Sequence, residues 1–399
     1  MIQIGIIREG KIPADSRVAL TPDQCKWVHE NLKDIQIRVQ SSPDRCYSDK
    51  DYRNAGIEVV DDLSDSTILL GIKEVPVDQL IPNKTYFFFS HTKKMQAHNQ
   101  PLIRTMVAKQ ITMIDYECLT HKDGQRIIGF GFFAGVVGAH NGMMAYGKRT
   151  GLFQLGRVVE CRDYRQLIHT YFGLKLPKLK IAITGSGRVA HGLLEVMNLM
   201  GITEVEPFDF LHKQYDYPVY VQLKGRDLYE RKDDGTYNRE DFHGNPSKYK
   251  CNFSPFTKVT DILLNGVYWD HNVPPLFTIE EFQSPQFKIQ TIADITNDEK
   301  GSVPINAGDS SIKDPVYGIS RTTFQKTEPY IPGSVDIMAV PNLPNELPRD
   351  ASRYFGEQLI KYILEDLNNP EADIINRATI LRKGVLTPAF SYMKSYAGV

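Results

Sequence analysis

A chain of 399 residues, 41% hydrophobic and 24% charged, exceeds what one hydrophobic core usually supports, so two domains are expected. A formal net charge of −1 gives no reason to expect a nucleic-acid or membrane partner, and no apolar run is long enough to span a bilayer as a helix. The five cysteines (Cys25, Cys46, Cys118, Cys161, Cys251) show no Cys-x-x-Cys pair and no zinc spacing with histidine. They are therefore expected to be reduced thiols of a cytoplasmic protein, with no metal site and no disulfide framework.

The first nine residues read as a strand over 2–7 that runs into a charged turn, rather than as a signal peptide. Thr21 is placed as the N-cap of a helix, with Pro22 at its first position and Gln24 completing a capping box. Strands follow at 35–39, 67–72, 85–89 and 112–116, separated by amphipathic stretches such as 100–109. Near-continuous apolar strands alternating with helices predict a mostly parallel sheet covered on both faces.

The residues that end these strands carry the chemistry. One apolar run leads into Lys73 and Glu74, the next into His91, the next into Glu117. In an open parallel sheet, residues just past the carboxyl ends of strands line the ligand crevice, so these four can converge although they come from three strands. Any one of them could simply be a polar turn at the surface. Together they form a candidate acid–base constellation. The charges of Lys93 and Lys94 could bind anions or solvate a helix start.

From Gly131, glycines recur at steps of four, three and four through Gly135, Gly138 and Gly142, one stripe of a helix. Each costs about 1 kcal/mol relative to alanine inside a helix, so close packing or a ligand must offset them. This helix is expected to lead from the first domain into the second. There, a β-branched run enters Gly185-Ser-Gly187-Arg188-Val-Ala190, followed by an apolar helix and a second strand ending at Asp209. Gly185 permits a tight turn, Gly187 lets a pyrophosphate approach the backbone, and Ala190 lets the helix pack close to the sheet. Asp209, about 20 residues beyond the second glycine, has the spacing of an acid that bonds ribose hydroxyls. The element is a dinucleotide-binding βαβ unit, with NAD or NADP as cofactor.

Residues 211–252 read as an exposed insertion with a hairpin at Asp233-Asp-Gly235-Thr236. Later strands place Asn265 and Asp294 at the same sheet edge as Gly185. A helix is predicted at 353–367, N-capped by Asp350 or Ser352, and the last patterned run is 372–381. The fold class is α/β, with two Rossmann-like doubly wound domains flanking a cleft. The catalytic domain is 1–135 completed by 335–399, and the dinucleotide domain is 136–334.

The motifs Gly71-Ile-Lys73-Glu74-Val-Pro76, Phe89-Ser-His91-Thr-Lys-Lys94, Ile114-Asp-Tyr-Glu117, Gly129-Phe-Gly-Phe-Phe-Ala-Gly135, Asn265-Gly-Val-Tyr-Trp269 and Asn342-Leu-Pro-Asn-Glu-Leu-Pro348 occur in order. In them the chain resembles lysine-forming saccharopine dehydrogenase and the lysine-oxoglutarate reductase domain, with alanine dehydrogenase and the transhydrogenase nucleotide-binding subunit as wider relatives. The resemblance implies an acid–base pair at Lys73 and His91, modulated by Glu74 and Glu117. It places substrate carboxylates on Arg17, Lys94 and Arg126. Cofactor contacts fall on Gly185, Gly187, Arg188, Ala190, Asp209, Asn265 and Asp294. One departure is Gln125-Arg126, where the lysine-forming enzymes carry two adjacent basic residues. The expected substrates are a small amino acid and an oxo acid. The alternatives are a dehydrogenase for a smaller amino acid such as alanine, or a nucleotide-binding regulatory protein without activity.

Overall fold

The computed structural model describes every residue except Pro370. Its chain divides into two compact units, one made of Met1–Phe130 with Pro348–Val399 and the other of Gly131–Leu347. The strands of the first segment are β1 (Ile2–Ile6), β2 (Ile35–Gln40), β3 (Glu58–Val60), β4 (Ile68–Leu70), β5 (Thr85–Phe88) and β6 (Thr112–Asp115). The middle segment holds β7 (Lys180–Thr184), β8 (Thr203–Glu204), β9 (Val219–Leu223), β10 (Tyr229–Arg231), β11 (Tyr249–Cys251), β12 (Ile262–Asn265), β13 (Thr291–Asp294), β14 (Val316–Ser320), β15 (Lys326–Thr327) and β16 (Ser334–Met338). The last segment adds β17 (Thr379–Arg382) and β18 (Val385–Leu386).

The sheet of the first unit has the order β18-β17-β6-β5-β4-β1-β2-β3. Strands β1 to β6 run parallel, and β17 pairs antiparallel with β6. Alternation along the strands sends successive side chains to opposite faces. Leu70, Phe87 and Ile114 pack in one core with Phe355 and Leu359 of the helix Pro348–Tyr362. Leu69, Tyr86, Phe88 and Met113 pack in another with Leu102, Ile103 and Met106 of the helix Gln100–Ala108. The returning C-terminal segment contributes to both cores, through this helix in the first and through Phe390, Met393 and Tyr396 in the second, which is why this unit is discontinuous in sequence. The helix Pro22–Asn31 opens with the expected capping box at Thr21 and Gln24, an arrangement worth about 1 kcal/mol.

The later part of the chain corrects two expectations, on the helix at 353–367 and on residues 335–347, and gives the run at 372–381 its form. The helix runs over Pro348–Tyr362, not 353–367, so Asp350 and Ser352 both lie inside it and neither is its N-cap; Ser352 Oγ instead accepts the Val18 backbone N–H at 2.9 Å. Residues 372–381 are a short helix, Asp373–Ala378, that passes directly into β17. Residues 335–347, expected with the first unit, lie in the second because β16 is a strand of its sheet, paired with β13 and β14.

The second unit's main sheet has the order β15-β14-β16-β13-β12-β7-β9-β8, with β7, β12, β13 and β16 parallel. Its glycine-striped helix is Gly131–Thr150. A Cβ at Gly135 would collide with the Val189 carbonyl oxygen, and one at Gly142 would stand 2.8 Å from Leu264 and 2.9 Å from Ala293. The stripe therefore lets this helix press against both the helix Arg188–Leu199 and the sheet. Packing offsets the helix cost of the glycines.

The segment 211–252 is not simply an exposed insertion. Tyr229, Phe242 and Tyr249 are buried in the second unit's core, with Tyr229 and Phe242 ring centroids 4.6 Å apart. The Asp233–Gly235 turn exists, with Gly235 at φ +68°, but its flanks do not pair as a two-strand hairpin. Strand β10 pairs instead with β11, beyond the helix Arg239–Gly244.

Candidate active site

The parallel sheet of the first unit brings its strand ends together as ion pairs and hydrogen bonds. Glu74, just past β4, receives His91 Nδ1 at 2.6 Å on one carboxylate oxygen and Lys11 Nζ at 2.7 Å on the other. Burial pushes the Glu74 carboxyl up, yet the bonds from His91 and Lys11 outweigh it and hold it at about 2. His91 sits in the left-handed region at φ +53°, its ring stacked on Phe89 at 6.2 Å. Lys73 is half-buried, and its amine makes no hydrogen bond or ion pair among the described residues. Burial lowers its ammonium pKa, the Arg17 charge adds to that shift, and Asp15 and Glu74 oppose it. A lysine held down in this way can exchange a proton near neutral pH more readily than a solvated one.

Glu117, after β6, is buried and accepts Arg126 Nη2 at 2.8 Å, with Lys93 Nζ at 3.6 Å. Burial raises its pKa, but Arg126, Lys93, Lys94 and His91 together lower it below the ordinary value. Asp115 ties two of the strand ends together, accepting the backbone N–H of Ser90 at 3.1 Å and of Glu117 at 2.7 Å.

The three cations expected to hold substrate carboxylates have different surroundings. Arg17 is only 3% exposed, and its guanidinium makes a two-pronged contact with Asp15, Nε to Oδ1 at 2.9 Å and Nη2 to Oδ2 at 2.6 Å. It also lies over the Phe130 ring at 4.1 Å. Arg126 is exposed and paired with Glu117, and Lys94 is exposed at the end of a short 3-10 turn, Thr92–Lys94.

In the second unit, Gly185 follows β7 at φ +104°, where a Cβ would stand 2.6 Å from the Gly266 carbonyl oxygen. Gly187 is the N-cap of the helix Arg188–Leu199, and a Cβ there would meet no protein atom within 4 Å. Ala190 is fully buried. These residues fit a dinucleotide: a left-handed turn only glycine adopts easily, an unobstructed backbone beside it, and a helix N-terminus. Asn265 and Asp294 stand at the same edge, in register with Thr184 and each other. Both are buried, joined by a 2.8 Å bond from Asn265 Nδ2 to Asp294 Oδ1. Burial raises the Asp294 carboxyl to about 6, against bonds from Asn306 and Asn265.

Asp209 is not at a strand end. Strand β8 pairs only with the start of β9, Thr203 opposite Val219 and Glu204 opposite Tyr220. The chain then leaves the sheet into the helix Pro207–His212, where Asp209 is paired with Lys213 at 2.8 Å. The strand beside β7 is β9, and past its end come Lys224 and Arg226. Lys224 Nζ bonds Gln222 Oε1 at 3.1 Å, and Gln222 Nε2 bonds the Gly185 carbonyl at 2.9 Å. A cation is thus linked to the glycine turn through one side chain. Lys224, Gln222, Lys11 and Glu9 are absent from the sequence-predicted set. The rule that found Lys73 and His91, polar residues just past a strand, also selects Glu9 and Lys224 once the strands are known.

Residues 5–137 match the family described as Alanine dehydrogenase/PNT, N-terminal domain. A curated rat protein named alpha-aminoadipic semialdehyde synthase, mitochondrial, is 30% identical, over 95% of this chain and 46% of its own length. The chain therefore spans about half the length of that relative. The Emericella nidulans protein named saccharopine dehydrogenase [NAD(+), L-lysine-forming] is 24% identical over 92% of each chain. Among solved structures, an L-alanine dehydrogenase superposes with a TM-score of 0.66 at 16% identity, covering 99% of both chains, and shares the α/β fold. Among the described residues no group of three or more His, Cys, Asp or Glu is placed to hold a metal ion, and no helix is long and apolar enough to cross a membrane. All five cysteines are free.

Proposed function

We propose that this chain is a nicotinamide-dependent oxidoreductase that interconverts saccharopine with L-lysine and 2-oxoglutarate at a C–N bond. The observation that carries the reading is the linked set at the carboxyl edge of the first sheet: a lysine of lowered pKa beside a carboxylate that holds a histidine. The relatives' names supply the substrate class.

When bound, the nicotinamide accepts or gives the hydride. The chain's own groups handle the protons. Oxidation needs the secondary amine of saccharopine to be neutral, and a Lys73 amine can take that proton. Hydrolysis of the resulting imine needs a water deprotonated, and collapse of the carbinolamine needs the leaving amine protonated; His91, oriented by Glu74, can serve both steps. Saccharopine carries three carboxylates, which Arg17, Lys94 and Arg126 would meet. Arg126 would have to share its charge with Glu117, and Arg17 with Asp15.

Gly185, Gly187, Arg188 and Ala190 would hold the dinucleotide, with Asn265 and Asp294 shaping the floor beside it. Either NAD or NADP suits this turn. Lys224 and Arg226, at the strand end where a ribose-binding acid would otherwise stand, favour the 2′-phosphate of NADP.

A second reading, an alanine dehydrogenase-like enzyme that reductively aminates a small oxo acid, draws on the domain family of residues 5–137. Reduced-cofactor absorbance followed with lysine plus 2-oxoglutarate, and separately with ammonia plus pyruvate, decides between the two.

A further inference from the structure

Strand β1 ends at Ile6, and its ladder to β4 continues for one more bond, from the Ile7 N–H to the Leu70 carbonyl at 3.0 Å. Beyond that point the main chain of β1 offers β4 nothing. The Glu9 side chain takes over: Oε1 accepts the Ile72 N–H at 2.7 Å and Oε2 accepts the Lys73 N–H at 2.8 Å. On the other side of β4, the Phe89 N–H reaches the Ile72 carbonyl at 3.0 Å. The stretch that presents Lys73 is therefore held from both sides, by backbone from β5 and by the Glu9 carboxyl group from the end of β1. Both oxygens of Glu9 are used on two consecutive N–H groups, a pairing that fixes direction as well as position. Glu9 keeps its carboxyl there although desolvation and the neighbouring Asp15 push it up to about 8.

We propose that Glu9 is a positioning residue for Lys73, setting where the lysine side chain leaves the strand and so where its amine stands for proton transfer. The inference rests on the reading of Lys73 as an acid–base group. It assigns Glu9 no contact with substrate.

A Gln at this place keeps one acceptor oxygen but turns an NH2 group toward the other backbone N–H, donor against donor. Glu9→Gln should lower kcat by about 10- to 100-fold, the scale of a small misplacement of a reacting group, with the KM for the dinucleotide unchanged. The deciding measurement is a double-mutant cycle with Lys73→Met. If Glu9 acts through Lys73, adding Glu9→Gln to Lys73→Met costs less than about 3-fold further, because the group it positions is gone. A merely structural role would cost the same factor in both backgrounds, and that outcome, or a Glu9→Gln variant with the parent's kcat, overturns the proposal. Should Glu9→Gln fail to fold, Glu9→Asp, one methylene too short to reach both N–H groups, goes through the same cycle with the same criteria. Parental turnover in Lys73→Met alone would instead remove the role of Lys73 and leave Glu9 nothing to position, a failure separate from the others.

Discussion

Glu74 holds His91 by a 2.6 Å contact from Oε1 to Nδ1, and spends its other oxygen on Lys11 at 2.7 Å. One carboxylate thereby fixes the orientation of an imidazole from the neighbouring strand and leaves Nε2 as the ring nitrogen for proton exchange. Removing its charge should cost about 1.5 to 3 kcal/mol in transition-state stabilisation, read as a 10- to 100-fold fall in kcat/KM for Glu74→Gln. Unchanged kcat/KM would mean that the pair is only structural.

The same carboxylate makes stability depend on pH. Its pKa is depressed from 4.5 to about 2, so its contribution is full above 4.5 and is lost as pH falls toward about 2. The Tm difference between the parent and Glu74→Gln should be constant from neutral pH to about 4.5 and close below it. A difference that persists undiminished to pH 2 would contradict the assignment.

Glu346 has the opposite sign. It is 1% exposed, accepts Asn141 Nδ2 at 2.9 Å on one oxygen, and is raised by burial from 4.5 to about 7 despite that bond. The folded state then holds a proton that the unfolded chain has released, so the parent loses stability as pH rises from 4.5 to about 7. Glu346→Gln, neutral throughout and still able to accept from Asn141, should gain Tm relative to the parent across that window and level off above it. A gap independent of pH would refute the shift.

Gly135, inside the helix Gly131–Thr150, and Gly187, the N-cap of the helix Arg188–Leu199, should respond differently to one added methyl. Gly135→Ala drives a Cβ into the Val189 carbonyl and should cost about 1 to 3 kcal/mol or more of stability by overpacking. Gly187→Ala meets no protein atom within 4 Å and has an ordinary φ of −85°, so its Tm should hold while dinucleotide affinity falls. Intact affinity in Gly187→Ala would mean that the backbone there is not approached by the pyrophosphate.

In the proposed function, the end of β9 carries the cofactor preference. Lys224→Ala should raise the KM for NADP(H) about 10-fold or more and change that for NAD(H) little, as expected from losing one charge-assisted contact to a phosphate. Asp209→Ala should alter neither, since Asp209 lies in a helix and pairs with Lys213. A selective loss of NAD affinity in Asp209→Ala would restore it as the ribose acid.

Much of this was legible in the sequence because it depends on short-range rules. Alternating apolar runs located β1, β2, β5 and β6 within a residue or two, the Thr21 capping box is local chemistry, and the Gly185 turn follows from φ. What escaped depends on pairing between distant segments. Asp209 has the right spacing, but β8 stops after two residues at the edge of the sheet, so the spacing delivers the acid to a helix instead of a strand end. The pairing of β10 with β11 leaves no trace at the Asp-Gly turn that lies between them. The run at 372–381 carries a helical pattern in its first half, and it becomes a strand at Thr379 because β6 is an open edge to pair with. In the sequence Glu9 is part of a charged turn; only the register of β1 against β4 shows that it replaces a missing backbone acceptor.

The roles proposed for Lys73 and His91 predict that Lys73→Met and His91→Gln each lower kcat by about 10² to 10⁴ without loss of dinucleotide binding. The double variant should be far less impaired than the product of the single effects, because the two act in one proton-transfer sequence. Full turnover in either single variant would remove that residue from the mechanism.

The central claim is the reaction itself, and initial rates of reduced-cofactor oxidation test it most directly. Purified protein should oxidise NADPH or NADH when given L-lysine together with 2-oxoglutarate, and should not do so with ammonia and pyruvate. Turnover confined to ammonia and pyruvate, or none with either pair, would contradict the assignment to saccharopine chemistry.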